Sequence, residues 1–423
     1  MLFQKHFHYG WIVASATFLT LMTGAAVRST PSILIAPLEN EFHWSRTTIS
    51  LAISINLLLY GLMGPFTAAL MERFGIRRTI PISFALIGTG VALTSVMRES
   101  WQLIALWGVV VGIGTGAIAN VLAAMIAMRW FSVRRGFVLG MMSSSVATGQ
   151  LLFLPTLAGI TTTFGWRATV LAMAMVVFAV LPIVAFFMRD RPADVGLAPY
   201  GETGGPKPTP PVTGNPIALA FTTLGEAIYA RDFWLLGGTF FICGASTNGL
   251  IGTHHIPACL DNGISEVTGA GLLAAMGVFN LIGTTGSGWL SDRYDSRILL
   301  AIYYGLRGLS LIYLPYSFVS LYGLTIFTAF YGLDWFATVA PTVRLIGNAF
   351  GKEKSGIVYG WIFVAHQIGG ASAAFLGGLM RENFGTYMES FVFSGLLCLV
   401  AAAMAMLIGR AHKDGASALA PVA

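Results

Sequence analysis

Apolar runs of about 20 residues recur from one end of this 423-residue chain to the other, roughly the length an α-helix needs to cross the hydrocarbon core of a bilayer. No other feature narrows the fold as much. Inside lipid every backbone N–H and C=O must find its partner within the protein, so runs of this length can only be bundled helices. Composition agrees: 10% of residues are charged and 56% hydrophobic, with 50 glycines, whereas soluble domains carry about 25% charge. A secreted disulfide scaffold, a disordered chain and a cytosolic enzyme are excluded. The expected fold class is an all-α membrane protein.

Twelve spans follow, at about 10–34, 48–70, 79–96, 103–128, 136–157, 168–187, 233–257, 269–290, 298–317, 321–346, 356–378 and 387–408. Between the sixth and seventh lies the stretch Gly201-Glu-Thr-Gly-Gly-Pro-Lys-Pro-Thr-Pro-Pro, whose composition cannot build a packed core and reads as a linker. The expected organisation is a six-helix bundle over 1–188, a cytoplasmic linker over 189–232, and a second six-helix bundle over 233–423 ending in a short cytoplasmic tail. No cleavable-leader pattern precedes the first span at about Gly10, so insertion of the intact chain is expected.

Placing both termini in the cytoplasm puts eighteen of the 24 lysines and arginines on that side and only Arg46, Arg98, Arg167 and Arg381 on the other. This bias is the positive-inside rule and predicts a multi-pass protein of a bacterial inner membrane with both termini inside. The net charge of +6 is accounted for in the same way; no basic block offers a nucleic-acid footprint. Cys243, Cys259 and Cys398 lack metal-like spacing and read as packing residues. Gly112-Ile-Gly114-Thr-Gly116 lies inside a span, where glycines let helices approach, rather than in a phosphate cradle. No nucleotide-hydrolysis motif, catalytic dyad or metal constellation is present, so neither an enzyme nor a cofactor is expected.

The halves repeat. After the second span comes Ala68-x-x-x-Glu72-Arg73-Phe-Gly75-Ile-Arg77-Arg78; after the eighth, 220 residues on, comes Gly288-x-x-x-Asp292-Arg293-Tyr-Asp-Ser-Arg297. Two small-x-x-x-acid-Arg motifs at equivalent places in equal halves signal parallel internal repeats. Their acids and bases can latch neighbouring helix ends.

This repeated motif, the six-linker-six layout and the inside termini resemble the major facilitator superfamily over essentially the full chain. Trp44-Ser-Arg46, Arg129-Trp-Phe-Ser-Val-Arg-Arg-Gly136, Gly165-Trp-Arg167 and Arg189-Asp-Arg-Pro192 are similar to the bacterial monocarboxylate-porter and oxalate-formate antiporter group. The resemblance implies twelve transmembrane helices in two pseudosymmetric halves, with the first helix lining a central cavity and alternating access by rocking of the halves. The superfamily's antiporter Arg in the fourth helix is replaced by Gly108, and the eighth helix offers Asn280 where monocarboxylate porters commonly carry an Arg.

An ionisable group inside a span is costly and marks function by default. Arg28, Arg307, Asp334 and His366 are such groups, and His254 and His255 sit in the outer third of the seventh span. Arg28 presents a permanently charged fork suited to a carboxylate; the alternative is pairing with Glu39 or Glu41. Its repeat mate, 220 residues on, is Asn248, which shares a helical face with His255, seven positions further. The candidate substrate site is Arg28, Asn248, His255, Asn120, Asn280 and Tyr60. Arg307, Asp334 and His366 are the candidates for proton coupling or gating, the first two as a pair. The conformational motif is Glu72, Arg73, Gly75, Arg77 and Arg78 with Gly288, Asp292, Arg293 and Arg297. The sequence thus points to a monomeric secondary transporter of a small organic anion, a monocarboxylate, by proton symport. An exporter of amphipathic or aromatic compounds is the alternative, which 29 Phe and 10 Trp could serve.

Overall fold

The computed structural model describes residues 8–118, 120–202 and 216–409, leaving aside a few side chains inside helices, among them Glu72 and Asn120. Among the described residues eleven helices are long and apolar enough to cross a membrane. They are span 1 (Tyr9–Phe42), span 2 (Arg46–Phe74), span 3 (Ile76–Thr94), span 4 (Ser100–Trp130), span 5 (Arg135–Phe164) and span 6 (Trp166–Phe187). After the linker come span 7 (Arg231–Asp261), span 8 (Glu266–Ser291), span 9 (Ser296–Ser317), span 11 (Lys354–Phe384) and span 12 (Met388–Ala405). Span 10 is broken: Leu321–Asp334 is followed by a four-residue unwound turn, and the helix resumes at Val339. Gly351, at φ 77°, then ends span 10 and starts the approach to span 11.

Local sequence sets the helix ends. Ser45 Oγ accepts from Thr48 N at the start of span 2, and Ser265 Oγ from Thr268 N at the start of span 8, both at 3.2 Å. The two caps stand 220 residues apart, so the repeat extends to helix-end chemistry worth about 1 kcal/mol each. Gly75, at φ 84°, turns the chain between spans 2 and 3; a side chain there would strike the Asp190 carboxylate, which accepts from Arg77 N at 2.8 Å.

The halves meet where span 2 packs on span 11 and span 5 on span 8. Contact along the first seam begins at the end remote from the termini, where Gly378 lies against Ser50. It passes the Ser54 Oγ bond to the Ala371 carbonyl (2.7 Å) and reaches Gly61 against Gln367 and Tyr60 beside Phe363. One and two turns further towards the terminal end, a Cβ on Gly360 or Gly356 would meet nothing within 4 Å. Among the described residues, this seam is in contact at the far end and through the middle, and the two span 11 glycines nearer the termini face open space.

The described parts of the linker, 189–202 and 216–232, pack against the bundles. Tyr200 N donates to Trp130 O (2.8 Å) and Ser132 N to Tyr200 O (3.0 Å), and the Tyr200 ring joins His8, Trp11 and Phe131. A helix over Pro216–Ala227 docks on span 11, where Trp361 Nε1 donates to Ala220 O (3.0 Å). Aromatic packing against each half supplies the burial that the Pro/Gly segment between them cannot.

Candidate functional site

Helix interruptions place the polar candidates. Span 1 loses a backbone donor at Pro31, after a Thr30 that stays helical, and span 7 runs as a π-helix over Ala245–Ile251. Thr30 and Leu250 are 220 residues apart. Span 4 breaks at Ile118 and span 10 over 335–338, again 220 residues apart at Ile118 and Thr338. Interrupted helices at corresponding places in two repeats are the best structural pointer to a transporter's central site. Arg28, Asn248, Asn120 and Asp334 each lie within four residues of one of these breaks. The Asn120 side chain itself falls outside the described residues.

Arg28 sits deeper than expected. Span 1 continues to Phe42 rather than ending near Leu34, which moves Arg28 from the outer part of the helix towards its middle. The guanidinium lies over the Tyr60 ring of span 2, 4.4 Å from its centroid, and Nε donates to Gly24 O at 3.4 Å. It is half-buried and has no carboxylate partner among the described residues. The acids that could have neutralised it are taken: Glu39 pairs with Arg46 (2.7 Å) and Glu41 with Arg167 (2.6 Å). Tyr60 faces Phe363 of the other half at 6.3 Å between ring centroids. Asn248, its amide without a hydrogen bond among the described residues, is half-buried beside Gly370 of span 11.

Two substrate candidates are engaged within the protein. The π-helix takes more residues per turn, so the phase of span 7 lags behind what a regular α-helix would give. His255 therefore does not share the face of Asn248; it is fully buried and stacked on Phe327 of span 10 at 6.2 Å. His254 turns to span 11 instead, with Nε2 bonded to Ala374 O at 2.8 Å. Asn280 is committed as well: its Oδ1 accepts from Phe336 N (3.1 Å) and Thr284 Oγ1 (2.9 Å). The unwound turn of span 10 needs that acceptor, because non-helical backbone at membrane depth must be satisfied by side chains.

The same turn explains Arg307. Its Nε donates to Asp334 Oδ2 (2.5 Å), its Nη2 to the carbonyls of Asp334 (2.7 Å) and Trp335 (3.1 Å), and its Nη1 to Cys243 Sγ (3.0 Å). Ser287 Oγ adds a bond to Ala337 O (2.5 Å), and Cys243 shares a contact with Thr338 Oγ1 (3.4 Å). Arg307 thus holds both the carboxylate and the broken backbone of span 10. The His366 ring joins the cluster through Cys243: Gly244 is pressed on the His366 backbone and ring, and that ring stacks on Phe363 at 5.6 Å. Asp334 Oδ1 and His366 Nδ1 are buried without a partner among the described residues. Cys243, read from sequence as packing alone, is the link between them, and no local sequence signal marks it.

At the far end an ion-pair network joins the halves. Arg46 of span 2 makes a two-pronged contact with Asp261 of span 7 (2.7 and 2.8 Å), while Arg381 of span 11 donates to the same carboxylate (2.7 Å). Tyr387 Oη lies 3.3 Å from Arg46 Nη1 and 3.1 Å from His254 Nδ1. Sequence reasoning counted Arg46 and Arg381 only as charges on the wrong side. That exception was the signal: three of the four far-side arginines are bound to acids, Arg46 and Arg381 to Asp261 and Arg167 to Glu41.

The two motif copies are less alike than their sequences. Arg73, Arg77 and Arg78 are exposed around Gly75, and Glu72 lies outside the described side chains. In the second copy Asp292 meets Arg344, in the same half, at 3.6 Å. Arg293 lies over Trp289 at 4.0 Å, Arg297 pairs with Asp295 at 2.6 Å, and a Cβ added at Gly288 would meet nothing within 4 Å.

The Major Facilitator Superfamily profile matches residues 16–374 and 261–422. The chain belongs to that superfamily. It is a multi-pass membrane transporter of the superfamily's twelve-helix, two-half fold. A Bacillus subtilis (strain 168) protein, "Uncharacterized MFS-type transporter YcxA", is 25% identical over 92% of this chain and 94% of its own length. Monocarboxylate transporter 13 of Bos taurus is also 25% identical, over 92% of this chain and 87% of its own. The crystal structure of a bacterial homolog of the human lysosomal transporter Spinster, inward-facing and unoccupied, shares the fold. Its TM-score is 0.74 at 17% identity, covering 96% of this chain and 98% of that one.

Proposed function

We propose that this superfamily member carries a small monocarboxylate by proton-coupled symport across a bacterial inner membrane, with both termini in the cytoplasm. The observation that carries the reading is Arg28: a permanent charge near mid-span, half-buried, stacked on Tyr60 and without an acid among the described residues. A buried cation without a counter-ion is costly, and a bound carboxylate would supply the missing charge. Asn248, across the repeat, would take a second polar group of the substrate. Relatives named as monocarboxylate transporters support the substrate class.

Bundles 1–188 and 233–423 would rock about this site, joined by the 189–232 linker. The far-end network of Arg46, Asp261 and Arg381 would then be an outer gate, closed while the cavity opens to the cytoplasm. Proton coupling would fall to Asp334 and His366. A proton on Asp334 weakens its hold on Arg307, and Arg307 is what ties down the break in span 10. Uptake of radiolabelled monocarboxylates into proteoliposomes, with and without an inward proton gradient, tests the proposal. We expect gradient-stimulated uptake that Arg28→Ala reduces by about 100-fold or more, since charge-assisted contacts are worth about 1.5–3 kcal/mol each. Near-normal uptake by a folded Arg28→Ala protein would remove the anion site, and uptake indifferent to the gradient would remove the coupling.

A further inference from the structure

The bond from Arg77 N to Asp190 Oδ1 (2.8 Å) fastens the start of span 3 to the segment that leaves span 6. It gathers Arg77, Arg78, Arg189 and Arg191 at one corner of the bundle, at the end that carries the termini. The acids of this corner are turned onto backbone: Asp190 accepts from Arg77 N, and Asp194 from Arg191 N (3.0 Å). Among the described residues, none of these four guanidinium groups has a carboxylate partner. Arg189 donates to the carbonyls of Phe186 and Met188 (2.7 and 2.8 Å), while Arg77 and Arg78 are exposed. Counting Arg73 and also Glu72, whose side chain lies outside the described ones, the corner still sets five arginines against three acids.

Spans 3 and 6 pack on each other. Just inside the corner they show Ile82, Ile183 and Phe186, which are 68%, 37% and 73% exposed and so face the lipid. Ile82 stands five residues beyond Arg77, about 7.5 Å along the helix, and Phe186 three residues before Arg189. Charge with apolar surface a turn or so deeper is the register of a phospholipid's phosphate and upper acyl chains. The equivalent corner of the second half is built differently. There Arg297 pairs with Asp295 (2.6 Å), Arg344 with Asp292 (3.6 Å), and Arg293 lies over Trp289.

We propose that the corner between spans 3 and 6 binds an anionic phospholipid from the leaflet at the end that carries the termini. Its phosphate sits on Arg77, Arg78 and Arg191, and its acyl chains lie along Ile82, Ile183 and Phe186. Guanidinium forks match phosphate oxygens, and basic pockets between helices at headgroup depth favour anionic lipid. A zwitterionic lipid would bring its own cation towards the arginines. Soluble phosphate would forgo the apolar contact. The site is independent of what the central cavity carries.

The test is native mass spectrometry of the full-length protein, released from detergent with dioleoyl phosphatidylglycerol or dioleoyl phosphatidylcholine. We expect the first phosphatidylglycerol to bind about tenfold tighter than phosphatidylcholine, the effect of one charge-assisted contact. Arg77→Gln with Arg78→Gln should erase that difference. Arg293→Gln with Arg297→Gln removes the same charge from the equivalent corner and should leave it within about twofold. Glycerol phosphate in excess should displace nothing. Melting curves establish that the variants fold. Arg191→Gln, which lies beyond span 6, carries the test if the first double variant does not fold, and should weaken phosphatidylglycerol binding about fivefold. Equal binding of the two lipids would overturn the proposal. Equal losses in the two double variants would reduce the corner to diffuse attraction, and displacement by glycerol phosphate would make it a site for free anions; either result overturns it too.

Discussion

Two arginines inside the spans, Arg28 and Arg307, are opposites. Arg307, fully buried, spends its whole fork inside the protein, on Asp334, two backbone carbonyls and Cys243. Arg28, half-buried, has among the described residues only an aromatic ring and one long bond to a carbonyl of its own helix. Both are equally charged, but desolvation weighs more on the fully buried Arg307 than on the half-buried Arg28; what further separates them is who meets that cost. The protein itself meets it for Arg307, which makes that residue part of the fold. For Arg28 the debt is left to water or a ligand, which makes it available for binding.

The largest effect should come from Arg307→Ala. It strands the Asp334 carboxylate and the carbonyls of Asp334 and Trp335 in the span 10 break. Breaking a buried pair from one side costs about 3–5 kcal/mol, so little folded protein should survive extraction. The double variant Arg307→Met with Asp334→Asn should recover part of the loss in thermal unfolding. An unchanged melting temperature for Arg307→Ala would erase the contrast between the two residues.

Next comes Arg28→Lys, which keeps the charge but loses the planar fork. Because Arg28 holds no part of the protein together, stability should stay within about 0.5 kcal/mol of the parent. Monocarboxylate uptake should fall by about tenfold through a raised KM, since a point charge recognises a carboxylate with less geometric specificity. A drop in melting temperature comparable to that of Arg307→Ala would mean that Arg28 is structural too.

Much of this contrast was legible in the sequence. The twelve spans, the 220-residue repeat and the proximity of Arg307 to Asp334 follow from apolar length, spacing and the cost of isolated charge. What escaped was phase and backbone. The π-helix of span 7 separates His255 from Asn248, and the unwound turn of span 10 converts Asn280 into a backbone partner. Neither departure has a strong local signal, because Ala245–Ile251 and Trp335–Thr338 hold residues that regular helices also accept. The far-end latch escaped for another reason: Arg46 and Asp261 lie 215 residues apart, and only the fold brings them together.

A smaller effect, on motion rather than folding, is expected at that latch. Asp261→Asn weakens three charged contacts, two from Arg46 and one from Arg381. In a Ser50→Cys background, the thiol lies buried against Gly378 and should react slowly with a membrane-impermeant maleimide. Asp261→Asn should raise that rate about tenfold, equivalent to about 1.4 kcal/mol lost from the closed state. An unchanged rate would mean that apolar packing of span 2 on span 11 closes the far end by itself.

The smallest effect is expected at the second motif copy. Asp292 and Arg344 are 3.6 Å apart with side chains 81% and 45% exposed, and ion pairs of that kind are worth about 0–1 kcal/mol. Both residues belong to the second half, so the pair ties span 8 to span 10 and does not cross the seam that must open. Asp292→Asn should therefore change the melting free energy by less than about 0.5 kcal/mol and uptake by less than about twofold. The Asp261 latch crosses the seam and should move the cycle; the Asp292 pair stays within one half and should not. A tenfold loss of uptake in Asp292→Asn would show that the motif acts across the halves in another state of the cycle, and would place the second control point at the end that carries the termini.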